Sequence, residues 1–144
     1  MTKLCYIMKI NNPIKEFDKG WVVGFIESEG VFTTNTIKIR RKTKSGLKNY
    51  RYRNPAFYLV SRDRSALEIV KWILKAGKIG RHGTIFHLSV RRKDECLGLA
   101  KFLEGRLKST LRVQQFERWR QLVLEWKLRA RGEGVEAGSE DLGG

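Results

Sequence analysis

Two glutamates, Glu27 and Glu29, stand close together at the end of the segment GWVVGFIESEG, residues 20–30. The spacing of its apolar residues predicts a helix that ends before Gly30, because glycine suits the position after a helix end. Carboxylates there oppose the helix dipole by roughly 0.3–1 kcal/mol each. A divalent cation would offset that cost, and oxygen ligands suit Mg²⁺. The residues alone equally allow a solvated acidic helix end without a ligand.

The same helix carries two interior glycines, Gly20 and Gly24, which cost about 1 kcal/mol each relative to alanine. Because they are four residues apart, they share a face with Val23 and Glu27. A face with so few side chains allows another helix to approach closely, so we expect these four residues at a dimer interface. The domain's own core is expected to take the other side of the helix, which carries Trp21, Val22, Phe25 and Ile26.

The charge of the chain points to a polyanionic partner. Thirty Lys and Arg residues face fifteen Asp and Glu, which gives a net charge of +15 on 144 residues. Self-repulsion of that size is unfavourable unless an anion offsets it, and nucleic acid gains affinity from each phosphate that is neutralised. A ribosomal-type protein or a surface that is merely basic remains the alternative at this point.

The elements around the acidic helix follow from periodicity and turn residues. The first helix starts at Asn12-Pro13 or is capped by Asp18. Residues 31–42 and 50–61 read as strands joined by a turn at 44–46, with Pro55 indicating an edge or an irregularity. A second helix follows, capped by Asp63 or Ser65 and stopped by Gly77.

The second half repeats this order of elements. Residues 79–82 and 84–91 form a hairpin around Gly83, and Asp94 caps a third helix that ends near Gly105. A fourth helix, capped by Ser109 or Thr110, carries an apolar stripe of Phe116, Trp119, Val123 and Trp126. The order predicts an α+β domain over residues 1–131, with one antiparallel sheet, helices on one face and the other face open. Residues 132–144, which are acidic and poor in apolar residues, are expected to be a disordered tail.

Residues 22–30, VVGFIESEG, resemble the nonamer that names the LAGLIDADG homing endonucleases, with Glu at both Asp positions. The basic strands that follow, then NPAFYLVSRDRSALEIVKWI, a hairpin bounded by glycines and LKSTLRVQQF, resemble the family over roughly residues 13–128. The resemblance implies the αββαββα fold with a saddle-shaped sheet in the DNA major groove. It also implies cleavage of both strands of a long pseudo-palindromic target with Mg²⁺, for which Mn²⁺ substitutes. A chain with a single nonamer is expected to act as a homodimer.

The resemblance also assigns residues to roles. Glu29 matches the family's metal ligand, Ser28 the residue whose backbone carbonyl adds to the metal shell, and Gly24 the helix-contact glycine. Arg112 falls where the family places a basic residue near the scissile phosphate, with Lys108 as its neighbour. Arg62 stands where a polar residue usually orders water.

The open face of the sheet is expected to bind DNA. Alternation places five residues of the first strand on one side, with Ile37 and Ile39 on the other. Together with residues of the later strands, the expected DNA-binding set is Thr34, Thr36, Lys38, Arg40, Lys42, Arg51, Arg53, Arg81, His87, Ser89 and Arg91, with Lys108 beside the active site. Any one of these side chains reads a base or only contacts phosphate.

Composition excludes several other classes. No apolar run is long enough for a membrane span, and the start lacks the features of a signal peptide. Two Cys and two His give neither a disulfide framework nor zinc spacing, so we expect an intracellular protein, cytoplasmic or organellar. We expect no small-molecule substrate. The remaining alternatives are an RNA-binding intron maturase and a cleavage-dead DNA-binding regulator on the same fold.

Overall fold

The computed structural model describes residues 14–129 and 135–136. Each half of the domain contributes a helix followed by two strands, and two further helices close the chain. The elements are α1 (Glu16–Glu29), β1 (Val31–Thr43), β2 (Gly46–Ser61), α2 (Arg64–Leu74), β3 (Lys78–His82), β4 (Ile85–Val90), α3 (Lys93–Leu103), α4 (Thr110–Leu128) and β5 (Val135–Glu136). The predicted α+β order is confirmed. The predicted start at Asn12-Pro13 and most of the predicted tail lie outside the described residues.

The strands form one antiparallel sheet in the order β1-β2-β4-β3. Strands β1 and β2 make a long hairpin whose register runs without interruption from Val31 opposite Tyr58 to Thr43 opposite Gly46. Strand β4 pairs with β2 only from Phe57 onward, so the hairpin extends well beyond the rest of the sheet. Pro55 lies in the part of β2 that has no β4 partner, as its expected edge position requires. Two residues of the tail, Val135–Glu136, pair with β2 near the hairpin tip.

Helix α1 ends as predicted at Gly30, for a reason of space. Gly30 has an extended backbone, with φ −67° and ψ 147°, so no left-handed conformation requires glycine there. A Cβ at Gly30 would lie 2.7 Å from the Ile26 carbonyl oxygen and 2.9 Å from the Phe57 ring. At the other end Asp18 lies inside the first turn, where its carboxylate accepts a hydrogen bond from the Lys15 backbone N–H.

The remaining helix ends agree only in part with the sequence patterns. Asp63 caps α2, accepting from the Ser65 backbone N–H at 2.9 Å. Its stop is Lys75, which takes the left-handed conformation at φ 55° before Gly77 is reached. The prediction that Asp94 caps α3 is wrong, because Arg92 occupies that position and Asp94 forms an ion pair with it from within the first turn.

One hydrophobic core lies between the sheet and the four helices. The predicted stripe of α4 supplies Phe116, Trp119 and Val123, all buried, with Trp126 at its margin. The Phe32 ring packs against Phe57 and against Phe116 and Trp119 of α4 at centroid distances of 5.2–5.6 Å. The Trp119 indole N–H donates to the Ala56 carbonyl at 3.0 Å, so its one polar group is satisfied. The side of β1 that carries Phe32 therefore faces the helices.

Candidate functional site

The C-terminus of α1 meets the N-terminus of α4. The Glu27 carboxylate accepts hydrogen bonds from the backbone N–H groups of Lys108 at 3.0 Å and Ser109 at 2.5 Å. Hydrogen bonds from Ser109, through its side chain and its backbone, and from the Lys108 backbone hold the pKa of Glu27 below its ordinary value. The sequence placed Glu27 at a dimer interface, whereas the structure commits its carboxylate to the start of a helix in the same chain.

Arg112 reinforces this junction from the first turn of α4. Its Nε donates to the Glu27 carbonyl at 2.8 Å and one terminal nitrogen donates to the Ser28 carbonyl at 3.3 Å. The other terminal nitrogen donates to the Gln115 side chain at 3.0 Å. A cation on the last carbonyls of a helix offsets its dipole, and α1 has no basic residue in its own last turn. The Arg112 guanidinium, which was expected near a phosphate, therefore forms its hydrogen bonds inside the domain. The Ser28 carbonyl, which was expected to face a metal, already accepts one of them.

Glu29 differs from Glu27 in having no such partner. Its side chain is exposed, and its carboxylate forms no hydrogen bond or ion pair with any residue in the range 14–129. It follows the two residues whose carbonyls Arg112 binds, so the end of α1 fixes its position, while no described residue binds its carboxylate oxygens. An exposed carboxylate at the negative end of a helix dipole is a hard oxygen donor of the kind that suits Mg²⁺ or Mn²⁺.

The side chains of Lys108 and Arg62 are exposed. The Lys108 backbone is fixed by Glu27, which places this cation at the same junction as Glu29. Arg62 directly follows the end of β2, where the neighbouring Ser61 hydroxyl accepts from the Asp63 backbone N–H at 3.0 Å. Of the predicted catalytic group, the structure brings Ser28, Lys108 and Arg112 together at the end of α1, next to Glu29 in the chain.

The outer face of α1 is not covered by any part of residues 14–129. Gly20 and Gly24 are exposed, and a Cβ added to either would meet no atom of the described residues within 4 Å. Phe17 and Trp21, which share that face by helical spacing, are 80% and 39% exposed. Trp21 was expected in the core and is corrected to the outer face, whereas Val22 and Ile26 are fully buried as expected. Val23 packs partly against the core of its own domain.

The register of the hairpin reverses the predicted DNA-binding face of β1. Phe32 is paired with Phe57 and points into the core, so every second residue from it lies on the helix side. Val90, which is paired with Phe57 and is fully buried, lies on the same side. The predicted residues on this side are Thr34, Thr36, Lys38, Arg40, Lys42, Arg51 and Arg53. Arg81 joins them on the helix side, because it is paired with Phe86 and stacks over that ring.

The open face carries the alternate residues. His87 and Ser89 lie there as predicted, paired with Val60 and Tyr58, and Arg91 continues their alternation. Sequence reasoning missed the partners from the hairpin, namely Val31, Thr33, Asn35, Ile37, Ile39, Arg41, Tyr50, Tyr58 and Val60. The Asn35 amide joins two strands, donating to the Tyr58 hydroxyl at 3.0 Å and accepting from Arg91 Nε at 2.8 Å. Phe32 could have identified this face from the sequence. Alternation puts Phe32 and Ile37 on opposite sides of β1, so a buried Phe32 places Ile37 on the open face.

Two further observations concern the described part of the chain. No helix within it is long and apolar enough to cross a membrane. No three His, Cys, Asp or Glu side chains within it cluster as a metal centre.

Solved structures with the same fold include several homing endonucleases. I-CeuI, a group I intron-encoded homing endonuclease complexed with DNA, has a TM-score of 0.66 at 18% identity, covering 86% of this chain and 62% of that chain. The archaeal intron-encoded homing endonuclease I-Vdi141I, also complexed with DNA, has a TM-score of 0.61 at 22% identity, covering 78% and 70%. The homing endonuclease I-TnaI has a TM-score of 0.61 at 25% identity, covering 76% and 73%. A comparison with curated proteins gives no match.

The sequence itself supplies the family. Residues 22–123, more than half of the chain, match the LAGLIDADG endonuclease family. The matched range begins at Val22, in the middle of α1, and includes its acidic end, strands β1 to β4 and most of α4. The chain belongs to the LAGLIDADG endonuclease family.

Proposed function

We propose that this chain is a site-specific endonuclease that cleaves double-stranded DNA as a homodimer with a divalent metal. The observation that carries the proposal is Glu29, an exposed carboxylate at the end of α1 that no residue of the described range binds, next to a helix face that the same range leaves uncovered. Membership of an endonuclease family and structural likeness to proteins complexed with DNA support the same function.

The dimer would form through the outer face of α1. Gly20 and Gly24 leave room for a second helix, and the exposed rings of Phe17 and Trp21 beside them would be buried by it. A two-fold axis through this face repeats the contact on both chains and closes the assembly at two copies. Two helices packed in this way would place their Glu29 carboxylates near the same axis. Val23 borders this face, whereas the Glu27 carboxylate remains bound to α4.

The residues at the junction would divide the chemistry between them. Glu29 would hold Mg²⁺, with Mn²⁺ as a substitute, and the bound ion would lower the pKa of a water molecule and stabilise the leaving oxygen. Arg112 is then a positioning residue, because it holds the carbonyls of Glu27 and Ser28. Lys108, whose exposed side chain stands at the same junction, would supply positive charge to the scissile phosphate. Arg62 would orient water or phosphate from the end of β2.

The DNA would lie along the open face of the sheet. That face presents Asn35, His87, Ser89 and Arg91, whose polar groups can read base edges in a major groove. The basic residues on the helix side of the hairpin would contact phosphates on the flanks of the groove, which positions the protein without reading sequence. Two-fold symmetry of the protein predicts a pseudo-palindromic target.

The test is a pair of variants, Glu29→Gln and Glu27→Gln, each measured on a target selected from a random DNA library by the wild-type chain. Glu29→Gln should lower cleavage by orders of magnitude with Mg²⁺ or Mn²⁺, while DNA affinity holds or rises because charge near phosphate is removed. Glu27→Gln should affect stability more than chemistry. Cleavage by Glu29→Gln at the wild-type rate would exclude the proposed metal ligand. A wild-type chain that binds DNA without cleaving would favour the regulator, and one that binds only RNA the maturase.

A further inference from the structure

The open face of the sheet carries more apolar surface than a solvent-facing sheet normally does. Antiparallel sheets with one wet face usually alternate polar residues on that face. Five of the exposed large hydrophobic residues lie here instead, each between 36% and 50% exposed: Val31, Ile37, Ile39, Val60 and Ile85. Their common face follows from the register, which pairs Val31 with Tyr58, Val60 with His87 and Ile85 with His82.

We propose that these β-branched side chains contact thymine methyl groups, so that the preferred DNA half-site is defined in part by the positions of its thymines. The proposal rests on the proposed function, because it names what this face reads in the DNA. In the major groove the thymine C5-methyl is the apolar feature that distinguishes one base pair from the others. A Val or Ile side chain on a rigid strand presents methyl groups to it without a large loss of side-chain freedom.

The distribution of the five residues favours DNA over a protein partner. They are separated by polar residues on the same face, among them Thr33, Asn35 and His87, so they form no single apolar patch of the kind that marks a protein interface. Arg41 lies over the rings of Tyr50 and Tyr52 on the same face, which places positive charge among them. The net charge of +15 is complementary to a polyanion.

The spacing of the residues predicts where the thymines lie. Val31, at the start of β1, lies two residues after Glu29, whereas Ile37 and Ile39 lie in the outer part of the hairpin. A strand advances ~3.3 Å per residue, close to the ~3.4 Å between successive bases of DNA. Val31 and Val60 should therefore contact bases near the cleavage site. Ile37 and Ile39 should contact bases up to about six and eight positions further out.

The experiment begins with the DNA that the wild-type chain selects from a random double-stranded library. Each thymine of one half-site is then replaced by deoxyuridine, which removes the methyl group and preserves base pairing. At contacted positions the dissociation constant should rise about fourfold, the factor that corresponds to ~0.8 kcal/mol for one buried methyl group. Replacement at positions facing only phosphate contacts should leave affinity unchanged.

A double variant, Ile37→Gln with Ile39→Gln, assigns the outer thymines to these side chains. It should bind thymine and deoxyuridine equally at the outer positions while keeping the preference near the cleavage site. Leu47→Gln is the matched control, because Leu47 is an exposed apolar residue at the hairpin tip on the opposite face, paired with Lys42. That variant should keep the full thymine preference.

The outcomes separate this proposal from the proposed function. Selected DNA that binds equally well with deoxyuridine at every position overturns the thymine assignment and leaves the endonuclease proposal standing. A double variant that still discriminates at the outer positions overturns the assignment of Ile37 and Ile39. A wild-type chain that selects no DNA sequence overturns both proposals together.

Discussion

Replacing Glu27 by Gln would remove one negative charge from the α1–α4 junction while preserving side-chain length. The carboxylate accepts from Lys108 N and Ser109 N, which are among the N–H groups at the start of α4 without a partner in the helix. A cap of this kind is worth about 1 kcal/mol. The charge adds roughly 0.3–1 kcal/mol at the start of α4 and costs a similar amount at the end of α1, so these two effects offset each other. We therefore expect the free energy of unfolding to fall by about 1 kcal/mol.

Thermal unfolding measures this loss. For a domain of this size 1 kcal/mol corresponds to roughly 3–5 °C in Tm. Glu29→Gln is the matched control, because it removes the same charge two residues away, where no partner within residues 14–129 is lost. Its Tm should equal or slightly exceed that of the wild-type chain.

The pH dependence supplies a second readout of the same variant. Because hydrogen bonds hold the pKa of Glu27 below its ordinary value of 4.5, its carboxylate contributes stability above that value. The contribution is lost as the pH falls through the lowered pKa. The difference in Tm between wild type and Glu27→Gln should be complete at neutral pH and shrink below pH 4.5. Equal Tm values at neutral pH, or a difference that persists in acid, would refute the account of the junction.

Substitutions of two glycines, the reactivity of Cys96 and the salt dependence expected from the net charge of +15 give four further tests. Gly24→Leu should leave the single chain folded, since a Cβ at Gly24 meets no atom of the described residues within 4 Å, but abolish dimerisation in sedimentation experiments; a wild-type monomer that cuts both strands would contradict this. Gly30→Ala should cost ~1–3 kcal/mol in urea unfolding, because its Cβ meets the Ile26 carbonyl and the Phe57 ring; wild-type stability would count against that contact. Burial raises the pKa of the Cys96 thiol to about 12, with Glu95 and Asp94 adding to the shift, so thiol reagents should label it only on unfolding, and rapid labelling of native protein would be the contrary result. DNA affinity should fall steeply with salt concentration, and a salt-independent dissociation constant would exclude the electrostatic attraction.

The elements could be predicted from the sequence because their signals are local. Helix α1 ends at Gly30, α2 begins after Asp63, and the stripe around Trp119 faces the core, all as the pattern indicates. Each of these features depends on residues within a few positions of one another. The exceptions are also local: Lys75 adopts a left-handed conformation despite its side chain, and Arg92 takes the capping position that Asp94 was expected to fill.

The faces of β1 were predicted in the wrong sense, and the reason is physical. Alternation divides the strand into two sets of residues, but it does not say which set faces the helices. Lys38 and Arg40 suggested a DNA-binding face. By alternation, however, Phe32 lies on the same side of β1, and its ring packs in the core. The helix-side face accommodates long basic side chains here because this part of the hairpin has no β4 partner and leaves Lys38, Arg40 and Lys42 exposed. The burial of one aromatic residue, Phe32, therefore decides which face of β1 points toward the helices, whatever the charge of the other residues on that face.

The junction between α1 and α4 could not be predicted, because its partners are far apart in the chain. Glu27 and Lys108 are separated by 81 residues, and no pattern within either helix indicates that one carboxylate will cap the other. From the sequence both acids at the end of α1 lack a compensating partner, which allows either a bound cation or a solvated acidic helix end. The structure compensates one of them from within: α4 binds the Glu27 carboxylate, and Arg112 binds the last carbonyls of α1.

Because α4 binds the Glu27 carboxylate, Glu29 is the remaining candidate metal ligand at the end of α1. If both acids had lacked partners, a solvated acidic helix end would explain them equally well. Instead the N-terminus of α4 binds the Glu27 carboxylate, and Arg112 binds the carbonyls of Glu27 and Ser28. The Glu29 carboxylate opposes the helix dipole, and no residue within the described range offsets that unfavourable interaction. A divalent cation shared between two copies of that carboxylate would offset it, and this is why cleavage by Glu29→Gln is the measurement on which the proposed function depends.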